Sequence, residues 1–171
     1  ILGVISILSI YFNIEKISKK IFYKFQIPPG RGKISKIKLK NKVINLVDES
    51  YNSNPLSLDF SIKKFNTINV NKSKKILLLG DMMELGKFSK KLHIQVSNVI
   101  NNSNIDKVHV YGKHIRHTLN KIQTQKKGKI FNNKNEILNF IQHKIDNNNY
   151  LMVKGSNSTG LNTIVSKLKS I

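Results

Sequence analysis

Two acids, a tyrosine and two asparagines follow an apolar run in "LVDESYNSNPLSLDF" (46–60). Side chains of these kinds gathered at the end of a strand serve either a ligand or a turn. Asp48 and Glu49 can accept hydrogen bonds from ribose hydroxyls, and Tyr51, Asn52 and Asn54 offer a flat ring and amide groups to a nucleotide. Helix capping accounts for part of the same stretch: Asn54 suits an N-cap, Pro55 the first helical position and Asp59 the first turn. Capping leaves Asp48, Glu49 and Tyr51 unexplained.

Three further stretches carry possible chemistry. "GDMMELG" (80–86) places Asp81 and Glu84 between two turn glycines, either as ligand groups or as part of an ordinary loop with Met82, Met83 and Leu85 tucked beneath it. "VKGSNSTG" (153–160) sets Lys154 and Ser156 at a strand end, with Ser158 or Thr159 positioned to cap the next helix. Lys154 suits a carboxylate or phosphate, or is simply solvated. The stretch is not a Walker A loop, and no glycine, four residues and Gly-Lys-Ser/Thr run occurs in the chain. "PPGRGKI" (28–34) reads as a stiffened hinge whose glycines allow close approach and whose Arg31 carries a forked cation suited to phosphate. The five histidines show no metal-ligand grouping beyond the His114/His117 pair, so no metal site is expected within this segment.

The elements that must position these residues follow from periodicity. Short apolar runs at 42–47, 75–80, 107–112, 129–131 and 150–155 alternate with helical stripes. The stripes are Leu58/Ile62/Phe65/Ile68, Leu92/Val96/Val99/Ile100, Ile115/Leu119/Ile122, Ile137/Ile141/Ile145 and Leu161/Ile164/Val165/Leu168. "KISKIKL" (33–39) can pair with 42–47 as a hairpin. The expected fold is α/β: a Rossmann-like, doubly wound, mostly parallel sheet with one antiparallel strand. In such sheets ligands sit beyond the carboxyl ends of the strands, where all three polar loops fall.

Bulk properties bound the rest. A chain of 171 residues without cysteine is expected to form one domain plus a small appendage, in a reducing compartment such as the cytoplasm. The opening run "ILGVISILSIYFNI" is too short to span a membrane at ~20 residues and reads as a buried helix. No basic n-region or cleavage site marks a signal peptide, and the start at Ile1 reads as a cut end. The formal charge of +21 invites a nucleic-acid reading. However, only Arg31 and Arg116 among the 30 basic residues are arginine, and the lysines are scattered without a stacking array of aromatics. A solvated surface is the expectation, with a freestanding basic α/β nucleotide- or nucleic-acid-binding module as the alternative.

Taken together, "GRG", "DESYNSNP", "LLGDMMELG" followed by His93, and "LMVKGSNSTG" resemble the Mur ligases in order and spacing, over nearly the whole chain. "SYNSNP" and "GDMMELG" are similar to the branch that joins D-Ala-D-Ala to UDP-N-acetylmuramoyl-tripeptide. The resemblance implies a three-domain enzyme of peptidoglycan precursor synthesis that uses ATP and Mg2+. Residues 1–27 would be the last helices of the central ATPase domain, and 28–171 the C-terminal domain that closes over the nucleotide. It implies ATP contacts for Arg31 and for Asp48 or Glu49 at the ribose, and contacts near the acceptor for Lys154 and Ser156, while the metal ligands would belong to the central domain. The chemistry of the residues themselves adds Tyr51, Asn52 and Asn54 as expected nucleotide contacts and Asp81 and Glu84 as expected substrate contacts. The protein would act as a cytoplasmic monomer on these two substrates, without nucleic acid or membrane. Asn157 stands where an arginine is more common in the family, and Glu49 where relatives often have a second aspartate.

Overall fold

Alternation along the strands decides which helices cover which face. In β2 (Lys42–Glu49), Ile44 and Leu46 enter one hydrophobic cluster and Val47 the other. In β3 (Lys75–Gly80), Ile76 and Leu78 face the first cluster, while Leu77 and Leu79 face the second. Such strands, apolar on both sides, need cover on both sides. The computed structural model describes residues 2–16, 18, 20, 23 and 26–170.

Six strands form one sheet in the order β1-β2-β6-β3-β4-β5. Here β1 is Lys33–Leu39, β4 Lys107–Tyr111, β5 Lys127–Phe131 and β6 Tyr150–Lys154. β1 pairs antiparallel with β2, from Lys33 opposite Asp48 to Leu39 opposite Lys42, and the other pairings are parallel. The expected α/β architecture and its hairpin are therefore present. Helices α2 (Pro55–Asn66), α3 (Ser89–Asn101) and α4 (Arg116–Lys121) cover the face of Val47, Leu77 and Leu79. Helices α5 (Lys134–Lys144) and α6 (Leu161–Lys169) cover the other. The split follows from handedness: the chain steps one way from β2 to β5 and then doubles back to insert β6 between β2 and β3. A right-handed crossover in the reverse direction must pass over the opposite face. The direction changes beside β6, which makes its carboxyl end the switch point.

Two expectations need correction. Helix α1 (Leu2–Tyr11) forms, but the expected burial does not: Ile7 is 62% and Ile10 74% exposed, and Val4 and Tyr11 are also open. Its apolar residues encircle the helix rather than forming one stripe, and among the described side chains only Ile5 and Leu8 are half-buried. Parts of the 1–27 segment lie outside the described residues. Among those residues, no helix is long and apolar enough to cross a membrane.

The lysines are also not uniformly surface groups. Lys75, Lys126 and Lys154 are buried. Lys75 Nζ donates to the Asn66 carbonyl (2.6 Å) and to Asn104 Oδ1 (2.9 Å), and Lys126 Nζ to the carbonyls of Ile100 (2.8 Å) and Asn101 (3.3 Å). Each ammonium thus satisfies carbonyls left open at a helix C-terminus. Burial lowers both pKa values from the ordinary lysine range, against the opposing pull of Asp106.

Candidate functional site

Three loops leave the sheet around the switch point, after β2 (50–54), β3 (81–88) and β6 (155–160). Ser156 fastens them together. Its buried Oγ donates to the Ser53 carbonyl (3.2 Å) and accepts from the Met83 N–H (2.9 Å), and its own N–H donates to the Asp81 carbonyl (3.0 Å). The result is a cleft of about 570 Å³ at the carboxyl edge, lined by Tyr51, Asn52, Asn54, Glu84, Ser156 and Asn157 among others. Ser53, 3% exposed, also lines it, and its Oγ is the one buried side-chain polar atom without a hydrogen-bond partner among the described residues. A buried hydroxyl in that state costs roughly 1–3 kcal/mol unless something enters to meet it.

Asn54 does what capping requires. Its Oδ1 accepts the Ser57 N–H (2.8 Å), Ser57 Oγ accepts the Asn54 N–H (3.1 Å), and Pro55 opens α2. The cap fixes the loop after β2, so Tyr51 and Asn52 remain exposed at the cleft mouth.

Lys154 is not solvated. It is 2% exposed beneath the cleft, where its Nζ donates to the Asn52 carbonyl (3.0 Å) and lies 3.5 Å from Glu49 Oε2. Burial lowers its pKa, Glu49 resists the shift, and the positive field of Arg31 adds to it. The Lys154–Glu49 pair therefore ties β6 to the end of β2 and leaves Glu49 only partly covered.

Adjacent residues Asp48 and Glu49 point to opposite faces, as strand alternation requires. Asp48, 2% exposed, meets Lys169 Nζ at 2.5 Å and accepts from Ser50 Oγ (2.6 Å), the Ser50 N–H (3.2 Å) and the Gly30 N–H (3.2 Å). Burial alone would raise its pKa, but Lys169 and Ser50 outweigh burial and hold it below the usual carboxylate value. Asp48 is thus committed to protein partners, whereas Glu49 keeps solvent access.

The "GRG" segment continues the hairpin. Gly32 N–H donates to the Asp48 carbonyl (2.7 Å) and Tyr51 N–H to the Gly30 carbonyl (3.2 Å). Gly30 is buried at φ +75°, and a Cβ there would lie 2.7 Å from the Tyr51 nitrogen, so only glycine fits. This close pairing places the Arg31 guanidinium 4.3 Å from the centre of the Tyr51 ring. The two exposed side chains form one stacked platform beside the cleft.

The acids of "GDMMELG" separate. Asp81 turns inward, and its carboxylate accepts the N–H groups of Lys113 (3.0 Å), His114 (2.9 Å) and Ile115 (2.7 Å). It positions the turn ahead of α4. Glu84 stays exposed on the cleft wall with φ +62°, a left-handed conformation uncommon for a residue with a Cβ. His93 holds the loop from below: its Nε2 accepts the Met82 N–H (3.0 Å), so Nδ1 carries the proton shared with the Ser89 carbonyl (2.8 Å). Burial lowers its pKa, consistent with that neutral form. The sequence marked His93 only by its place after the motif. Among the described residues, no group of three or more His, Asp or Glu side chains is arranged to hold a metal ion.

Known proteins share this fold. The family model for "Mur ligase, glutamate ligase domain" matches residues 34–157. The UDP-N-acetylmuramoyl-tripeptide–D-alanyl-D-alanine ligase of Buchnera aphidicola is 33% identical over 144 residues, which cover 83% of this chain and 30% of that protein. The solved MurF of Acinetobacter baumannii superposes with a TM-score of 0.75 at 21% identity, over 96% of this chain and 35% of its own. MurF ligase from Thermotoga maritima, solved in complex with ADP, gives 0.72 at 20% identity, over 99% and 36%. The chain spans about a third of the length of these proteins. With the family model matching most of the chain and a relative 33% identical over 83% of it, the chain belongs to the Mur ligase family.

Proposed function

We propose that this chain is the C-terminal, nucleotide-closing part of an ATP-dependent ligase that adds D-Ala-D-Ala to UDP-N-acetylmuramoyl-tripeptide. The observation that carries the reading is the unpartnered Ser53 hydroxyl in the wall of the Ser156-fastened cleft, at the edge where this fold receives ligands. The names of the curated relatives supply the substrates. In the reaction, a tripeptide carboxylate oxygen takes the γ-phosphoryl group of ATP, releasing ADP. The dipeptide amine then attacks the acyl carbon, loses its proton, and the carbon–oxygen bond to phosphate breaks. The protein's contribution is positioning and charge neutralisation.

Each residue takes the part its surroundings permit. Arg31 and Tyr51 form the platform for the nucleotide, with Glu49 rather than the committed Asp48 available to the ribose. Asn52, Glu84, Ser53 and Ser156 face the peptide acceptor, with Lys154 supporting the cleft floor and Asp81 supporting its wall. Asn54 serves by capping α2. Asp48 and Asp81 are spent on protein donors, and among the described residues no three acids or histidines gather to hold Mg2+; its ligands are assigned to a central domain that includes residues 1–27. The intact enzyme is proposed to act in the cytoplasm as a monomer, without a nucleic-acid partner.

The test is a titration of the 15N-labelled chain with D-Ala-D-Ala, then with ADP. The reading expects the dipeptide to shift the amides of Asn52, Ser53, Met83 and Ser156, and ADP those of Arg31 and Tyr51. No shift at either set in the millimolar range would overturn it.

A further inference from the structure

Arg116 has no part in the site described so far. It stands on a second pocket of about 490 Å³, beyond the carboxyl ends of β3, β4 and β5. This pocket shares Met83 with the Ser156 cleft and also meets it at Ser158, so the two form neighbouring chambers along one edge of the sheet. The geometry points to a subsite for a free peptide carboxylate carried on an aliphatic stem, gripped by Arg116 and Lys113. This deepens the proposed function, resting on its peptide substrates.

Arg116 is aimed before any ligand arrives. Its Nε–H donates to the Gly112 carbonyl (3.1 Å), and one N–H of its terminal nitrogen points to Asn132 Oδ1 at 3.4 Å. Of the five guanidinium N–H groups, three remain. A fork fixed in this way loses little side-chain entropy on gripping two carboxylate oxygens, which favours it over a lysine at the same place. Lys113 adds a second cation: its backbone N–H is held by Asp81, while its exposed ammonium forms no ion pair among the described residues. Asp81 also lines the pocket and repels an anion, but its oxygens are covered by three backbone N–H groups, leaving the two side-chain cations to set the sign. Tyr111, Phe131 and Met83 supply apolar wall below the cations. A bare phosphate would leave that wall unused, whereas a carboxylate on a hydrocarbon stem fits both halves.

Two sources offer such a carboxylate: the third residue of the tripeptide, when it is 2,6-diaminopimelate, and the C-terminus of the dipeptide. The experiment uses the 15N-labelled 171-residue chain and follows the amides of Lys113, Arg116 and Asn132. Alanyl-glutamyl-diaminopimelate is compared with its lysine counterpart, which lacks one carboxylate, and D-Ala-D-Ala with its C-terminal amide. Preference for the diaminopimelate peptide assigns the pocket to the tripeptide, and loss of the shifts on amidation assigns it to the dipeptide. In either case Arg116→Gln should weaken binding by about tenfold, as expected for losing a charge-assisted bidentate contact. Arg116 is exposed, and an otherwise unchanged spectrum of the variant shows that the fold is intact. Shifts indifferent to the extra carboxylate, or binding unaltered by Arg116→Gln, overturn the subsite. Dipeptide shifts confined to Asn52, Ser53 and Ser156 would overturn the subsite for the dipeptide while leaving the proposed function standing. Shifts at Arg116 with none in that cleft would do the reverse.

Discussion

Replacing Ser156 with alanine should loosen three loops at once. The substitution deletes one oxygen that both donates to the Ser53 carbonyl and accepts from the Met83 N–H. The two losses differ in kind. Met83 is 46% exposed, so its amide can turn to water and costs only the net value of a hydrogen bond, about 1 kcal/mol. Ser53 is 3% exposed, and its carbonyl, without Oγ, keeps a desolvation penalty of roughly 1–3 kcal/mol. The sum is about 2–4 kcal/mol. At ~2–4 °C per kcal/mol for a domain of this size, Ser156→Ala should lower the thermal midpoint by roughly 4–16 °C. Ser158→Ala is the control: this exposed serine has no side-chain hydrogen bond among those described, and it should change the midpoint by less than ~2 °C. Calorimetry on both variants, with amide exchange read at Met83, makes the comparison. A Ser156→Ala midpoint within 2 °C of the parent, or an equal loss in Ser158→Ala, would refute the role of Ser156 as fastener.

Other expectations follow from the same contacts. His109 is buried against Phe131 and Phe140, and burial, aided by Lys107 and Lys129, pushes its pKa down to about 4. The unfolded chain therefore binds this proton first, so the stability present above pH 6.5 should fall by up to about 3 kcal/mol as pH drops toward 4. Urea unfolding at several pH values should show this, and a His109→Phe variant with an unchanged acid slope would contradict it. Asp81→Asn exchanges an acceptor of three N–H groups for an amide with one oxygen, and should cost about 2–3 kcal/mol with exchange rising at 113–115. If it melts like the parent, Asp81 is not what positions that turn. Under the proposed function, Arg31→Lys in the full-length protein keeps the charge but loses the planar fork stacked on Tyr51, so ligase turnover should fall about tenfold with an unchanged melt. Near-normal turnover would remove Arg31 from the site.

The sequence carried the strands and helices because their signals are local. "KILLLG" is apolar on both faces and proves to be a strand buried throughout, and Asn54-Pro55 opens α2 where capping chemistry placed it. The position of β6 between β2 and β3 is not local, since nothing within "YLMVKG" specifies its neighbours. That insertion creates the site: it brings Ser156 to Ser53 and Met83, residues 103 and 73 positions away, and turns Lys154 from a plausible solvated cation into a buried brace for Glu49 and Asn52.

The polar motifs therefore divide according to where their partners lie. Asn54 finds its partner three residues on, and sequence reasoning identified its role. Asp81 finds its partners 32 to 34 residues on, in a turn with no pattern of its own, and could not be told from a ligand group. Asp48 and Glu49 look interchangeable in sequence, yet strand alternation sends one to Lys169 and turns the other toward Lys154, where it stays partly accessible. A carboxylate satisfied by protein donors has little left to offer a ligand, because each bond to a newcomer must replace one already made. Glu49 and Glu84, the less satisfied acids of the two motifs, are for that reason the better places to look for substrate contact than Asp48 and Asp81.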